Sequence, residues 1–251
     1  MGTRLVGDKS WYNIKAVPKN NATSDVEISI YDEIGIWGID AATFKEDFDK
    51  VKNLGNIKLR INSPGGSVFD GLAIYNVLSD VRDKLTVEID GLAASIASVI
   101  ALAGGHKVMR EGTLFMIHSP FTFAIGGADD LRKEAEVLDQ IEDQIISIYE
   151  KNSNLNVETI KALVKAETWM NAETAKEYGF IDETVDAPRM AASFNKPMKD
   201  FGFNSLPANV FEKPKEVDVT VNDIEEKVTQ NAVDTTDIQR RILKLKIDNL
   251  K

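Results

Sequence analysis

The chain has 251 residues, enough for one large domain with an appendage and short for two enzymatic domains. Forty acidic against thirty basic side chains give a net charge of −10 at pH 7, which repels phosphate backbones and argues against nucleic acid as a partner. Cysteine is absent and the two histidines are His106 and His118, so disulfides and thiolate chemistry are excluded and an imidazole-rich metal site is disfavoured. No cofactor is expected, and any step that needs imidazole must use one of those two residues. In chain order, MGTRLVGDKSWYN lacks the apolar run of a secretory signal, and no segment approaches the ~20 apolar residues of a membrane span, which predicts a cytoplasmic protein. Residues 11–17 and 26–31 alternate as strands, 41–54 carry helical spacing through Phe44, Phe48 and Val51, and 56–62 form a strand again. Helix 68–79, strand 85–90, helix 94–103 and strands 107–109 and 114–117 follow, an order that implies βαβ units and a mainly parallel sheet of an α/β fold. A long amphipathic helix is predicted over 128–153, with Leu131, Ala135, Leu138, Ile145 and Ile148 on its apolar stripe. Asn156 and Asn171 can cap two further helices, Gly179 can end the second, and 180–185 reads as the last strand.

Three segments carry chemistry. INSPGGSVFDG, residues 61–71, leaves a strand through a proline turn and two glycines, which let backbone approach a ligand and keep N–H donors free. A bare Gly-Gly is more often a tight strand-to-helix turn, and the lysine of a phosphate loop is missing. DGLAASIASVIALAGG, residues 90–105, places Ser95 after small residues at the start of an apolar helix. An N-cap is the plainer reading of Ser95, but the Ile96 N–H would lie at the positive end of that helix, where an oxyanion is stabilised. Ser98 reads as packing or a backbone-bonded hydroxyl. In LFMIHSP, His118 leaves the end of an apolar strand, and a strand-end imidazole beside a serine at a helix start is the nucleophile–base pairing of serine hydrolysis. His106, after Gly104-Gly105, reads as an exposed turn residue.

These segments in this order resemble the proteolytic subunit of the Clp proteases, through INSPGG, GLAAS, MIH before a proline, the long helix and NAETAKEYGFID, over about residues 25–186. WYNIKA, VEISIYDEIG, INSPGGSVFDGLAIYN and AETWMNAETA are most similar to the Clp-related head maturation (prohead) proteases of tailed bacteriophages. The resemblance implies a ClpP/crotonase-like ββα superhelix with a long protruding handle helix. It further implies Ser95 as nucleophile, His118 as base, an oxyanion hole from the Gly66 and Ile96 amides, and homo-oligomeric rings formed through the 128–153 helix. The family's catalytic aspartate is matched here by Glu167, with Asp182 and Asp186 as fallback carboxylates.

The expected activity is serine endopeptidase cleavage of capsid and scaffold proteins during prohead assembly. Alternatives are a housekeeping Clp subunit serving a separate ATP-dependent unfoldase, a crotonase-type acyl-CoA enzyme, and a nonenzymatic capsid scaffold. The expected organisation is an N-terminal strand and linker over 1–24, a peptidase domain over 25–186, and a tail over 187–251. That tail is proline-broken and polar, ends in the basic-apolar helix IQRRILKLKIDNLK, and is expected to dock on capsid or scaffold protein. Truncation after residue 186 is expected to leave hydrolysis intact.

Overall fold

Alternation of apolar and polar residues sets the central strands. The computed structural model describes residues 4–8, 11–19, 24–35, 40–186 and 203. In it β3 (Ser24–Tyr31), β4 (Ile57–Ser63) and β5 (Leu85–Ala94) run parallel. Ile57, Leu59 and Ile61 of β4 and Leu85, Val87 and Ile89 of β5 are buried on the helix-covered face. β1 (Arg4–Asp8) and β2 (Tyr12–Pro18) extend the sheet antiparallel on one side, while β6 (His106–Arg110) and β9 (Glu183–Val185) continue it in parallel on the other. The order is β1-β2-β3-β4-β5-β6-β9, and β7 (Leu114–Ile117) branches off, pairing with β5 and with antiparallel β8 (Thr168–Met170).

Parallel sheets are usually buried on both faces, yet these strands keep charge on the outer one. A ladder of ion pairs accounts for it: Lys58–Glu88 at 2.5 Å, Arg60–Asp90 at 2.7 Å, and Arg110 to Glu88 at 3.0 Å and Asp90 at 3.1 Å. Tyr31 donates its phenol to Asp90 at 2.5 Å, and burial together with that bond pushes its pKa up to about 12.

Side-chain caps start four of the helices. Asp40, Ser67, Asn156 and Asn171 each accept a backbone N–H, opening α1 (Ala41–Asp49), α2 (Val68–Ser79), α5 (Val157–Lys165) and α6 (Ala172–Glu177). Between α2 and α5 lie α3 (Ile96–Ala101), buried along its whole length, and α4 (Ala128–Lys151). Trp11 and Tyr12 of the β2 end pack with Phe44 and Phe48 of α1, closing one end of the core.

The expected α/β architecture with a mainly parallel sheet is the one found. Boundaries differ where tertiary pairing overrides local pattern: β5 runs on to Ala94 because Leu92, Ala93 and Ala94 pair with β7, and α1 stops at Asp49 in a series of tighter turns. β1 and β8 carried no readable pattern in the sequence. The last strand is shorter than expected, since Phe180 and Ile181 enter the core before β9 starts. Apart from Phe203, the expected tail and its C-terminal helix lie outside the described residues. Among those residues no helix is long and apolar enough to cross a membrane.

Candidate active site

A break in β4 positions the site. Where the β4–β5 register shifts between Ile61 and Ser63, the Asn62 side chain accepts the Leu92 N–H at 3.1 Å. Beyond that point β5 leaves β6 and pairs with β7, so its last residues travel to a different edge. Ser95 follows at φ 54° and ψ −131°, a positive-φ conformation outside the left-handed helical well that costs a non-glycine residue on the order of 1–3 kcal/mol, and its N–H donates to the Met116 carbonyl at 3.0 Å. The Ser95 hydroxyl makes no cap to α3. It lies 2.7 Å from His118 Nε2, just past the end of β7.

The antiparallel β7–β8 register brings the third candidate in. Ile117 pairs with Thr168, so the next pair in the same register is His118 with Glu167. Glu167 also has a positive φ, 51°, is 8% exposed, and its N–H donates to the Val164 carbonyl at 3.2 Å. Strained backbone at two of the candidate residues is the kind of outlier that clusters at functional sites. Burial lowers the pKa of His118, and the negative charge of Glu167 acts in the opposite direction with smaller effect. Neutral imidazole, the form that accepts a proton, is therefore favoured.

The glycine turn faces this pair. Gly65 and Gly66 adopt φ 101° and 142°. A Cβ at Gly65 would stand 2.6 Å from Ser95 Cβ, and one at Gly66 would stand 2.2 Å from the Ile34 carbonyl oxygen. The bridge to Ile34 uses the Gly65 carbonyl and the Ser67 amide, which leaves the Gly66 amide outside it. The Ile96 amide opens α3 and has no intrahelical acceptor. Gly65, Gly66, Ser95 and His118 line one cleft of about 210 Å³, walled by Phe121 and Phe203. A larger hollow of about 440 Å³ beside Tyr31 and Arg60 contains neither serine nor histidine of this pair.

The remaining candidates lie elsewhere. The Asp182 carboxylate accepts the Lys107 N–H at 2.7 Å and pairs with its ammonium at 3.0 Å, and Asp186 is exposed after β9. His106 begins β6 rather than sitting in a turn, and its exposed ring lies 3.1 Å from Glu183. Ser98 is fully buried and donates to the Ser95 carbonyl at 2.6 Å, the backbone-bonded hydroxyl expected of it. Two neighbours escaped the sequence reading. Tyr149 of α4 is hydrogen-bonded through its hydroxyl to Ser98 at 2.7 Å, with its pKa driven up by burial, and so braces the Ser95 turn from below. Phe203 stacks edge-on to His118, and its signal was no more than an apolar FGF in a polar stretch. Among the described residues, no group of three His, Asp or Glu side chains is placed to hold a metal ion.

A family model described as Clp protease matches residues 48–188. Similar curated proteins include the ATP-dependent Clp protease proteolytic subunit of Leuconostoc citreum, 38% identical over 130 residues, covering 50% of this chain and 65% of that protein. Subunits of the same description from Bacteroides fragilis and Bacteroides thetaiotaomicron are each 34% identical over 139 residues, covering 55% of this chain and 67% and 63% of those proteins. The match thus spans about two thirds of the length of these relatives.

Proposed function

The chain belongs to the Clp protease family, and from that premise we propose that it is a serine-type endopeptidase. The single observation that carries this reading is the 2.7 Å contact between Ser95 Oγ and His118 Nε2 at a strained turn in a cleft. In the proposed reaction His118 takes the Ser95 proton as Oγ attacks the peptide carbonyl, and Glu167 orients the ring and offsets its positive charge. The Gly66 and Ile96 amides donate to the tetrahedral oxyanion. Collapse of that intermediate expels the amine, which takes the proton from His118, and water then hydrolyses the acyl-enzyme by the same route in reverse. A crotonase-type reaction would use the paired amides but would leave the Ser95–His118 contact without a task.

For the biological setting we propose head maturation, with capsid and scaffold proteins as substrates and rings formed through α4. The sequence similarity carried by WYNIKA and VEISIYDEIG, within residues 11–35, and the long stretch beyond residue 186 support it. A second reading, a housekeeping subunit that serves an unfoldase, draws support from the names of the curated relatives. Active-site labelling with a fluorophosphonate, mapped by mass spectrometry, tests the chemistry: modification at Ser95 is expected, and a folded protein that resists labelling there removes the peptidase reading. Stimulation of protein cleavage by an added Clp unfoldase and ATP would decide for the housekeeping role.

A further inference from the structure

One described residue beyond the last strand, Phe203, lies against the proposed catalytic histidine. Phe203 lies with its ring centroid 5.9 Å from the His118 ring at an interplanar angle of 72°, and Phe121 meets the same imidazole at 5.9 Å and 67°. Trp169, two residues after Glu167, contacts Phe203 at 5.2 Å and 88°. Behind these rings Leu92, Ala94 and Met116 form a small apolar cluster separate from the main core, and Phe203 packs against it together with Leu114 and Trp169. Leu92 and Met116 are 2% and 0% exposed. The same phenylalanine lines the cleft that holds Ser95, His118 and Gly66.

We infer that Phe203 is a working part of the catalytic cleft, walling the side-chain pocket of the peptide substrate and shielding the His118 imidazole from water. The inference rests on the peptidase reading above and assigns to that site a residue from beyond the peptidase domain expected from sequence, so truncation after residue 186, expected from sequence to leave hydrolysis intact, should instead weaken cleavage beside apolar residues. Two edge-on phenylalanines with Val68 and Pro64 make a pocket suited to an apolar substrate side chain beside the scissile bond. Water is kept from the ring at the same time, which reinforces the desolvation acting on His118. The polar and charged groups acting on this ring are the Ser95 hydroxyl and the Glu167 carboxylate, and Glu33 lines the same cleft. None of them is altered by changing Phe203.

The test uses the full chain with Phe203→Ala and Phe203→Leu. For Phe203→Ala, KM for a fluorogenic peptide with an apolar residue before the scissile bond should rise about tenfold, while a matching peptide with a polar residue there changes little. The acid limb of kcat/KM should also move to higher pH, because water readmitted to the ring lets it hold its proton more tightly. Phe203→Leu should shift both quantities less and in the same direction, and it decides the matter if the alanine variant fails to fold. Unchanged pH limb and unchanged discrimination in folded variants would overturn the inference. So would faster turnover, since that would make Phe203 an obstruction. Fluorophosphonate labelling of Ser95 in each variant separates the two levels: labelled protein with unaltered kinetics sinks the role of Phe203 alone, whereas absent labelling in the unsubstituted chain sinks the peptidase reading.

Discussion

Ser95 holds its hydroxyl beside an imidazole only because its backbone accepts a positive-φ turn that three neighbours stabilise. Met116 receives its N–H, Ser98 donates to its carbonyl, and Gly65 leaves room for its Cβ. If Ser95 and His118 act as one unit, Ser95→Ala and His118→Ala should each abolish peptide hydrolysis, and the double variant should cost little more; additive losses measured with a fluorogenic peptide would place them in separate steps. Glu167 makes a distinct prediction. Its charge supports protonated His118 against the larger effect of burial, so Glu167→Gln should cut the rate by ~10²–10⁴ and carry the acid limb of the profile further below the ordinary histidine value. Glu167→Asp should keep part of the activity. A pH profile that stays in place with near-normal turnover in Glu167→Gln would remove the carboxylate from the mechanism.

Strands β3, β4 and β5 and helix α2 could be read from sequence because local pattern and burial agree there: Lys58 and Arg60 point out between Ile57, Leu59 and Ile61, and α2 spans the Val68–Ser79 range that its spacing implies. The GLAA run before Ser95 is different, since small residues have no strand signature and become strand only when β7 pairs with them. The meeting of Ser95 and His118 was legible, as each lies at the end of an element whose type was clear. That of His118 and Glu167 depends on the register of β8, three residues long, and was suggested by family resemblance alone. Tyr149 was illegible for a related reason, because nothing in α4 indicates that its hydroxyl meets Ser98 across the core. Tyr149→Phe removes one buried hydroxyl from that pair, and a loss of about 1 kcal/mol in urea unfolding is expected, with a lowered kcat and an unchanged KM. Wild-type stability and kcat together would show that Ser98 holds the turn without help.

Across the whole molecule, α4 serves the core at one end and leaves its other end uncovered. Ile145, Ile146 and Tyr149 are buried in the main core, whereas Leu131 and Val137 are 44% and 43% exposed. The apolar stripe read from sequence therefore has two destinations. Placing a charge at Ile145, at 5% exposure, would damage the fold of a single subunit before it reported on assembly. Leu131, Ala135 and Leu138 lie on one face by their spacing, and a second copy of the same helix offers them an apolar partner under closed symmetry. Leu131→Glu with Leu138→Glu should accordingly lower the mass seen by light scattering while urea unfolding of each subunit changes little, because neither side chain belongs to the buried core. Ile145→Glu should do the reverse, destabilising the subunit by several kcal/mol, about 3 or more for an unpaired charge placed in an apolar core. An unsubstituted chain that is already a monomer at assay concentration, or a double variant of unchanged mass, would refute assembly through the exposed half of α4 and leave that surface to a partner other than itself.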